Sequence, residues 1–323
     1  MRSRKLASIL TGCALMAAAA LILTLSPPEL RGDQGASGPS DASPHADARA
    51  HLEGQVILVT GSTGGLGREV AYELGARGAH VIVHGRSEER GREVVERIEA
   101  EGPGTARFYR ADLASFDEVR VLGHAILRDY DRLDVLVHNA GVWVDADDER
   151  QMSHDGHELH MQVNYFSTFL LTELLLPLLE ESAPARIVNV ASAAQRELDF
   201  DDIMMDEGYS DGRGYAQSKL AQILFTKDLA ERLADRDISA VALHPATMMD
   251  TDMVLSRGAE PRASVDEGTE AVMHLITASE VESGAYYNGL TRAEAHDQAY
   301  DPEARAQLRQ ISQRLTAPWL SSP

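Results

Sequence analysis

The segment TGSTGGLG at residues 60–67 joins a short apolar run to an amphipathic stretch, and it restricts the possible folds more than any other part of the chain. The run VILV at residues 56–59 predicts a β-strand, and the apolar spacing that follows predicts a helix. Glycines at such a junction permit a tight turn and let the backbone approach a ligand, and the helix N-terminus attracts phosphate. A flexible turn without a ligand is the alternative. We predict that this turn contacts a phosphate through Gly61, Ser62, Thr63, Gly65, Leu66 and Gly67.

The rest of the chain continues the alternation of strand and helix. Strands are predicted at residues 56–59, 79–83, 106–109, 135–137, 186–190, 239–243 and 285–287. Helices are predicted near residues 66–77, 87–101, 116–129, 156–180, 213–234 and 265–278. Such alternation gives right-handed crossovers, parallel strands and helices on both faces. The predicted fold class is therefore α/β, a Rossmann-type doubly wound parallel sheet of about seven strands in a single domain.

The end of the second predicted strand indicates which dinucleotide the turn would hold. In NAD-binding folds an acidic residue about 20 positions after the glycines binds the ribose 2′-hydroxyl. This chain has HGRS at residues 84–87 and no carboxylate before Glu88. The planar guanidinium of Arg86 suits a 2′-phosphate instead. We therefore predict NADP(H) as the preferred cofactor, with NAD(H) and a merely solvated Arg86 as the alternatives.

Tyr215 and Lys219 lie four positions apart near the start of a predicted helix, which puts both on one face. A free tyrosine has a pKa of about 10, and a nearby ammonium group favours the phenolate and lowers that pKa. The pair therefore predicts an acid–base group that exchanges a proton with an alcohol or carbonyl oxygen, while a nicotinamide carries the hydride. The spacing alone is common on helix surfaces.

Two longer motifs resemble those of one family. The glycine spacing at residues 60–67 and the sequence GYAQSKLA at residues 214–221 are similar to the short-chain dehydrogenase/reductase family, in its short single-domain branch, over about residues 52–315. Three further segments resemble the retinol-dehydrogenase-like and WW-domain-oxidoreductase-like subgroup, namely residues 200–213, 215–229 and 286–298. The resemblance implies a hydrophobic alcohol and its ketone or aldehyde as substrates.

The family resemblance also implies roles for single residues. Ser192 would bond the substrate oxygen and Asn164 would hold a water in a proton relay to Lys219, which gives the catalytic set Asn164, Ser192, Tyr215 and Lys219. A turn-forming Ser192, or an Asn164 that bonds only backbone, is the alternative. Besides the glycine turn and Arg86, the implied cofactor contacts are Asp112, Leu113, Asn139, Ala140, Gly141, Tyr215, Lys219, Pro245 and Thr247.

Some positions leave a choice or depart from the family pattern. His138 stands where the family usually has asparagine, and Ala246 stands where it usually has glycine. Thr251 is the alternative to Thr247 as a nicotinamide contact, and Asp112 could equally cap the following helix. The interval between Ser192 and Tyr215 is long, and we expect residues 195–213 to cover the substrate.

Two rival functions keep a nicotinamide cofactor. A 3-oxoacyl-carrier reductase would want a basic docking patch, and the lysines of this chain are only Lys5, Lys219 and Lys227. A catalytically idle NADP(H)-binding sensor would not need the full catalytic set.

Charge and metal-ligand content limit the partners. The net charge of −21 excludes a nucleic-acid role, since phosphate backbones would be repelled. The single cysteine, Cys13, allows neither a disulfide framework nor a cysteine zinc site. The histidines at 154, 157 and 160 drift across helix faces, so no metal site is predicted. A small-molecule substrate is the expected partner, and a homo-oligomer is left open.

The N-terminus is predicted to be separate from the domain. Residues 6–25 are uncharged and mostly apolar after three basic residues, and as a helix they would span a bilayer core of about 30 Å. We predict a membrane anchor or signal segment over residues 1–25, a disordered linker over residues 26–50 and the NADP(H)-binding domain over residues 51–323. A lipoprotein signal at Cys13 is a weaker alternative, and the side of the membrane is left open.

Overall fold

The predicted apolar runs form neighbouring parallel strands of one sheet. The computed structural model describes residues 52–144 and 149–321 of the chain. The strands are β1 Val56–Val59, β2 His80–Gly85, β3 Thr105–Arg110, β4 Val135–His138, β5 Ala185–Val190, β6 Ile238–His244, β7 Tyr286–Asn288 and β8 Thr291–Ala293. Their order is β3-β2-β1-β4-β5-β6-β7-β8. The pairs up to β7 are parallel and the last pair, β7 with β8, is antiparallel.

Helices cover both faces of this sheet, as the doubly wound prediction requires. They are α1 Gly65–Ala76, α2 Glu88–Glu101, α3 Phe116–Asp129, α4 Ser167–Glu181, α5 Asp211–Arg232, α6 Asp252–Leu255, α7 Val265–Thr277 and α8 Pro302–Leu320. One buried apolar cluster lies under α1, α2 and α7, and a larger one lies under α3, α4, α5 and α8. The α/β fold class and the two-faced sheet are confirmed.

The long helix predicted over residues 156–180 begins later and differently. Gly156 has a φ of +78°, a left-handed conformation that does not start a helix. The hydroxyl of Ser153 instead accepts the N–H groups of Asp155 and His157. A π-helix over Met161–Phe166 then leads directly into α4. Such widened turns occur often at functional sites, and this one contains Asn164.

The C-terminal part contains elements that the sequence analysis did not predict. Gly289-Leu290 is a two-residue hairpin turn, with a φ of +58° at Gly289, and it returns the chain as the antiparallel edge strand β8. Helix α8 begins after Asp301, whose side chain accepts the N–H of Glu303, and it has Pro302 in its first turn. These local signals were present in the sequence.

The strand order reverses between β1 and β4, since β1 pairs β2 on one side and β4 on the other. In doubly wound sheets the crevice at such a point, at the carboxyl ends of the strands, receives ligands. The glycine turn follows β1, and residues 139–141 follow β4. The topology therefore brings two of the predicted motifs to one place.

The N-terminal predictions for residues 1–25 and 26–50 lie outside the described residues and stay predictions. Within residues 52–144 and 149–321, no helix is both long and apolar enough to cross a membrane.

Candidate active site

The glycine turn closes directly against the loop after β4. A Cβ on Gly61 would lie 2.8 Å from Cα of Ala140, and a Cβ on Gly67 would lie 2.3 Å from Nδ2 of Asn139. That amide nitrogen donates to the carbonyl oxygens of Thr60 and Gly61 at 2.9 and 3.3 Å. The Thr60 hydroxyl accepts the N–H groups of Asn139 and Ala140, both at 3.0 Å. Two predicted cofactor motifs are thus in direct contact.

The same turn presents the N-terminus of α1 to the crevice. Gly65 has a φ of +52°, which glycine adopts without strain. The N-cap residue Gly64 makes no side-chain cap hydrogen bond, so the first helical N–H groups remain for an anion. Ser62 is used differently from our expectation, because its buried hydroxyl donates to the carbonyl of Val59 at 2.7 Å. Leu66 is also buried and packs in the core, and Thr63 lies beside Gly85.

His84 fastens the glycine turn to the end of β2, a role that the sequence analysis missed. Its Nδ1 accepts the N–H of Gly61 at 3.1 Å, and its backbone exchanges hydrogen bonds with Ser62. Burial lowers the pKa of His84 to about 4, so the ring is neutral and has a free lone pair for this bond. The turn is therefore anchored on both neighbouring strands.

Arg86 follows β2 at the mouth of the crevice. Its side chain is exposed, and within the described residues it forms no hydrogen bond or ion pair. An exposed, unpaired guanidinium at this place can receive a phosphate without losing an existing partner. The position is that expected from the sequence.

The pair Asp112 and Leu113 follows β3. Oδ1 of Asp112 accepts the N–H of Ala114 at 3.0 Å, which closes a local turn. The alternative that Asp112 caps the next helix is wrong, since the N-cap of α3 is Ser115, whose side chain accepts the N–H of Glu118. Leu113 is only 6% exposed and packs in the core, so Asp112 is the member of the pair that faces outward.

Asn164 is fully buried and its side chain is committed to protein partners. Oδ1 accepts the N–H of Val142 at 2.7 Å, and Nδ2 donates to the carbonyl of Val142 at 3.0 Å and to the hydroxyl of Ser218 at 2.9 Å. A Cβ on Gly141 would lie 3.3 Å from Oδ1 of Asn164 and 3.4 Å from Nζ of Lys219. Asn164 therefore holds the loop after β4 beside Lys219, and its relay role stays a prediction.

Ser192, Tyr215 and Lys219 meet at the carboxyl end of β5. Burial raises the pKa of Tyr215, and the neighbouring Ser192 side chain opposes that rise. Nζ of Lys219 lies 5.8 Å from the centre of the Tyr215 ring. The pKa of Tyr215 is therefore raised and not lowered as we expected, and burial is the largest cause. A protonated phenol beside the serine hydroxyl suits proton donation.

Lys219 is itself strongly desolvated. Its Nζ donates to the carbonyl of Val190 at 2.8 Å and to Oε1 of Gln222 at 2.9 Å. Burial lowers the pKa of Lys219 to about 7. The amine therefore changes charge close to neutral pH, unlike an ordinary surface lysine.

Trp143 covers Tyr215 and was not predicted. The two rings stack with centroids 5.2 Å apart and an angle of 26°. The guanidinium of Arg257 lies 4.0 Å from the Trp143 ring and donates to the carbonyl of Val144 at 2.7 Å. Nε2 of His160 accepts the N–H of Val144 at 3.0 Å. The loop after β4 and the segment after β6 therefore join over the phenol.

The segment after β6 separates the two candidate threonines. The hydroxyl of Thr247 bonds Nε2 of His244 at 2.9 Å. The methyl group of Thr251 instead lies 3.4 Å from where a Cβ on Gly65 would be, so Thr251 packs against the glycine turn. Pro245 is buried at the end of β6. The choice between Thr247 and Thr251 as a nicotinamide contact stays a prediction.

The loop in segment 195–213 is hydrogen-bonded to Gln298 on one side and to helix α5 on the other. The N–H of Leu198 donates to Oε1 of Gln298 at 2.8 Å, and Nε2 of Gln298 returns a bond to the carbonyl of Leu198 at 3.0 Å. On the other side Nε2 of Gln217, in α5, donates to the carbonyl of Glu197 at 2.6 Å. Met205 is fully buried in the core cluster.

The histidine triplet has structural partners. His157 bonds Oε1 of Gln162 through Nδ1, and His160 bonds the buried carboxylate of Glu158 at 2.7 Å. A Cβ on Gly214 would lie 2.7 Å from Nδ1 of His160, so this pair also fits closely against the start of α5. Among the residues that the structure describes, no group of side chains has metal-ligand geometry.

With this geometry in place, comparisons with known proteins define the class. The family model of short chain dehydrogenases matches residues 55–262. The chain belongs to the short-chain dehydrogenase family and is an oxidoreductase that acts on CH–OH donors with NAD(P).

Relatives confirm the subgroup. Retinol dehydrogenase 13 of Mus musculus is 33% identical over 294 residues, which cover 83% of this chain and 85% of the relative. Retinol dehydrogenase 12 of Homo sapiens is 32% identical over 278 residues, 82% of this chain and 87% of the relative.

Solved structures confirm the fold. A protein from Mycobacterium paratuberculosis has a TM-score of 0.68 and 26% identity, over 82% of this chain and 94% of the other. A short chain dehydrogenase from Escherichia coli CFT073 in complex with NADPH has a TM-score of 0.63 and 28% identity, over 75% of this chain and 98% of the other.

Proposed function

We propose that this enzyme interconverts a hydrophobic alcohol and its ketone or aldehyde with NADP(H), and that Tyr215 is the acid–base group. The observation that carries the proposal is the meeting of Tyr215, Ser192 and Lys219 at the end of β5, in the crevice that the glycine turn borders. In this proposal Tyr215 transfers the proton, Ser192 orients the substrate oxygen and Lys219 supplies a positive charge beside them.

The residues present fit a nicotinamide dinucleotide. The glycine turn has no room for Cβ atoms at Gly61 and Gly67, and α1 directs unpaired N–H groups to the crevice. The unpaired guanidinium of Arg86 supports a 2′-phosphate, which distinguishes NADP from NAD. Neighbouring structures of the family hold NADP or NADPH. When bound, this cofactor supplies or accepts the hydride.

The protein contributes proton transfer and orientation. The ordinary pKa of tyrosine is about 10 and burial raises that of Tyr215, so its phenol is protonated at neutral pH and can donate a proton to the carbonyl oxygen of a substrate during reduction. The Ser192 hydroxyl bonds the same oxygen and orients it. The ammonium form of Lys219 attracts electron-rich oxygen atoms beside Gly141. In oxidation the same group, as the phenolate, accepts the proton of the alcohol.

The surroundings of Tyr215 favour an apolar substrate. The indole of Trp143 covers the phenol ring, and the loop 195–213 carries partly exposed apolar side chains, those of Phe200, Ile203 and Met204. Burying the apolar body of a substrate against such surfaces is favourable. The relatives named as retinol dehydrogenases support this substrate class.

We also propose that residues 51–323 form the cofactor-binding unit and that residues 6–25 attach it to a membrane, from the length of the apolar run. Fractionation of the full chain tests this: we expect it in the membrane pellet, and recovery in the soluble fraction without proteolysis would contradict it.

The test of the catalytic proposal is Tyr215→Phe in an assay that follows NADPH absorbance over a panel of aldehydes and ketones. We expect kcat to fall about 10²- to 10⁴-fold, since a general acid contributes that much. The Kd for NADPH should stay near the wild-type value, because the ring remains. Tyr72→Phe, on α1 beneath the guanidinium of Arg97, is the matched control.

Turnover that survives Tyr215→Phe would reject Tyr215 as the acid. A wild-type enzyme that binds NADPH but oxidises none of it over the panel would instead support the idle sensor.

A further inference from the structure

Gln222 lies one helical turn after Lys219 on α5, and nothing in the reaction described so far uses it. Its side chain is fully buried, and Lys219 is 4% exposed. Oε1 of Gln222 accepts a hydrogen bond from Nζ of Lys219 at 2.9 Å, and the carbonyl of Val190 accepts a second at 2.8 Å. An ammonium group has three donors and no acceptor. The third donor is therefore left for the side of the amine that faces Gly141.

The orientation of the Gln222 amide shows that the contact with Lys219 is specific. Within the described residues, Nε2 of Gln222 is buried and has no hydrogen-bond partner. A buried unpaired donor is unfavourable. Rotation of the amide would place its NH₂ group against the ammonium group, which can only donate. The amide therefore keeps its oxygen on Lys219 although its nitrogen stays unsatisfied.

Among the described residues, Lys219 has no negatively charged partner, so neutral acceptors such as the Gln222 amide stabilise its ammonium form. The titratable groups that face it are Tyr215 on its own helix and His244 at the end of β6, whose pKa is lowered by burial and by the charge of Lys219. Neither is an anion near pH 7, and no carboxylate among the described residues forms an ion pair with Lys219. Neutral oxygen atoms alone stabilise the ammonium form.

We propose that Gln222 is a positioning residue for hydride transfer, which holds the Lys219 ammonium group in place and keeps it charged so that its remaining N–H faces the cofactor side of the site. The proposal rests on the proposed function for the role of Lys219. The amide acts through the lysine and does not itself touch the reacting atoms.

Two substitutions at residue 222 separate this role from simple packing. Gln222→Met keeps the length of the side chain and removes the acceptor, and Gln222→Glu places a carboxylate at the same point. An opposite charge favours the charged amine, whereas loss of an acceptor disfavours it. The pKa of Lys219 should therefore fall in Gln222→Met and rise in Gln222→Glu, each by about one unit.

The lysine content makes a direct measurement practical. The lysines are Lys5, Lys219 and Lys227, so full-length protein grown with ¹³C-lysine gives a short list of Cε resonances, and Lys227→Arg assigns one of them. Titration of the Cε shift against pH reports the charge of each amine. This measurement needs no substrate and no turnover, so its failure and that of the proposed function are distinguishable.

The functional readout is the fall of NADPH affinity and of kcat/KM as the pH rises, which is the alkaline limb of each pH profile. If the ammonium form is needed, the limb should move to lower pH in Gln222→Met and to higher pH in Gln222→Glu. Thr226→Val is the matched control, because Thr226 is buried one turn further on and bonds the carbonyl of Gln222 rather than Lys219. We expect it to lower stability without moving the limb.

Unchanged Cε titration and an unmoved limb in both folded variants would overturn the proposal. If one variant fails to fold, the other decides alone, because an unchanged Cε titration of Lys219 and an unmoved limb in that variant overturn the proposal.

Discussion

The substitution Gly67→Ala tests whether the phosphate turn is closed against the loop after β4. A Cβ at this position would lie 2.3 Å from Nδ2 of Asn139 and 2.6 Å from the carbonyl oxygen of Gly61. The Asn139 amide would have to leave, and its bonds to the carbonyls of Thr60 and Gly61 would be lost. Since one such bond contributes about 0.5–1.5 kcal/mol, the two together contribute about 2 kcal/mol.

This loss converts into two measurable quantities. For a domain of this size, about 2 kcal/mol lowers Tm by roughly 4–8 °C. If cofactor binding requires Asn139 to return to its original position, binding must supply the same free energy and the Kd for NADPH rises about 30-fold. Thermal unfolding followed by circular dichroism gives the first value, and quenching of protein fluorescence by NADPH gives the second.

Gly64→Ala is the control within the same turn. Gly64 has extended backbone, with a φ of −174°, and a Cβ there would meet nothing within 4 Å. Alanine is a slightly poorer N-cap but restricts the unfolded chain, and these opposing effects are each below about 1 kcal/mol. A Gly67→Ala enzyme with wild-type Tm and Kd would refute the closed turn. Equal losses in both variants would assign the effect to backbone freedom and not to the contact with Asn139.

Three further outcomes follow from the site. Arg86→Asp should lower the kcat/KM ratio of NADPH to NADH by roughly 10- to 100-fold, since a bond to a charged group contributes about 1.5–3 kcal/mol; an unchanged ratio contradicts the cofactor assignment. Burial lowers the pKa of His84 to about 4 and of His138 to about 3, from 6.5. The unfolded chain therefore binds protons first, and stability present above about pH 6.5 is lost as the pH falls toward 4. Between pH 7 and pH 5, His138→Asn should lose less unfolding free energy than the wild type, as measured by urea unfolding at each pH. An equal loss in both proteins would contradict this prediction. Trp143→Ala should lower the pKa of Tyr215 by exposing the phenol, whereas Trp143→Phe should leave it near the wild-type value; the phenolate absorbance of each protein minus that of its Tyr215→Phe counterpart measures this, and equal titrations would exclude shielding by the indole.

Most of the sheet could be predicted from the sequence because each strand is a short apolar run between turn residues. β4 and β5 differ from their predicted bounds by one residue at one end. Helix onset was harder where the backbone conformation overrides periodicity. Gly156 adopts a left-handed conformation, so the apolar pattern after it starts as a π-helix at Met161 and not as a regular helix at residue 156. The hairpin turn at Gly289 had a local signal, the glycine itself, that apolar periodicity does not measure.

The motifs predicted which residues belong to the site, but not their burial or their tertiary contacts. The spacing of Tyr215 and Lys219 placed them on one face of the helix. Spacing does not reveal how deeply the two side chains are buried, and burial is the largest influence on both of their pKa values. Trp143 reaches Tyr215 only through tertiary packing, so no local pattern could reveal the stack. Gln222 is different, because its position three residues after Lys219 placed it within reach on the same helix.

The cleft is held from a distant part of the chain. The hydroxyl of Tyr286 donates to the carbonyl of Ser192 at 3.1 Å, and the N–H of His296 donates to Oε1 of Gln195 at 2.7 Å. The groups that perform the chemistry and the groups that shape the opening beside them are therefore encoded about a hundred positions apart. We expect that exchanging the carboxyl-terminal hairpin and the turn after it between relatives would change the substrate preference while Tyr215 stays in place.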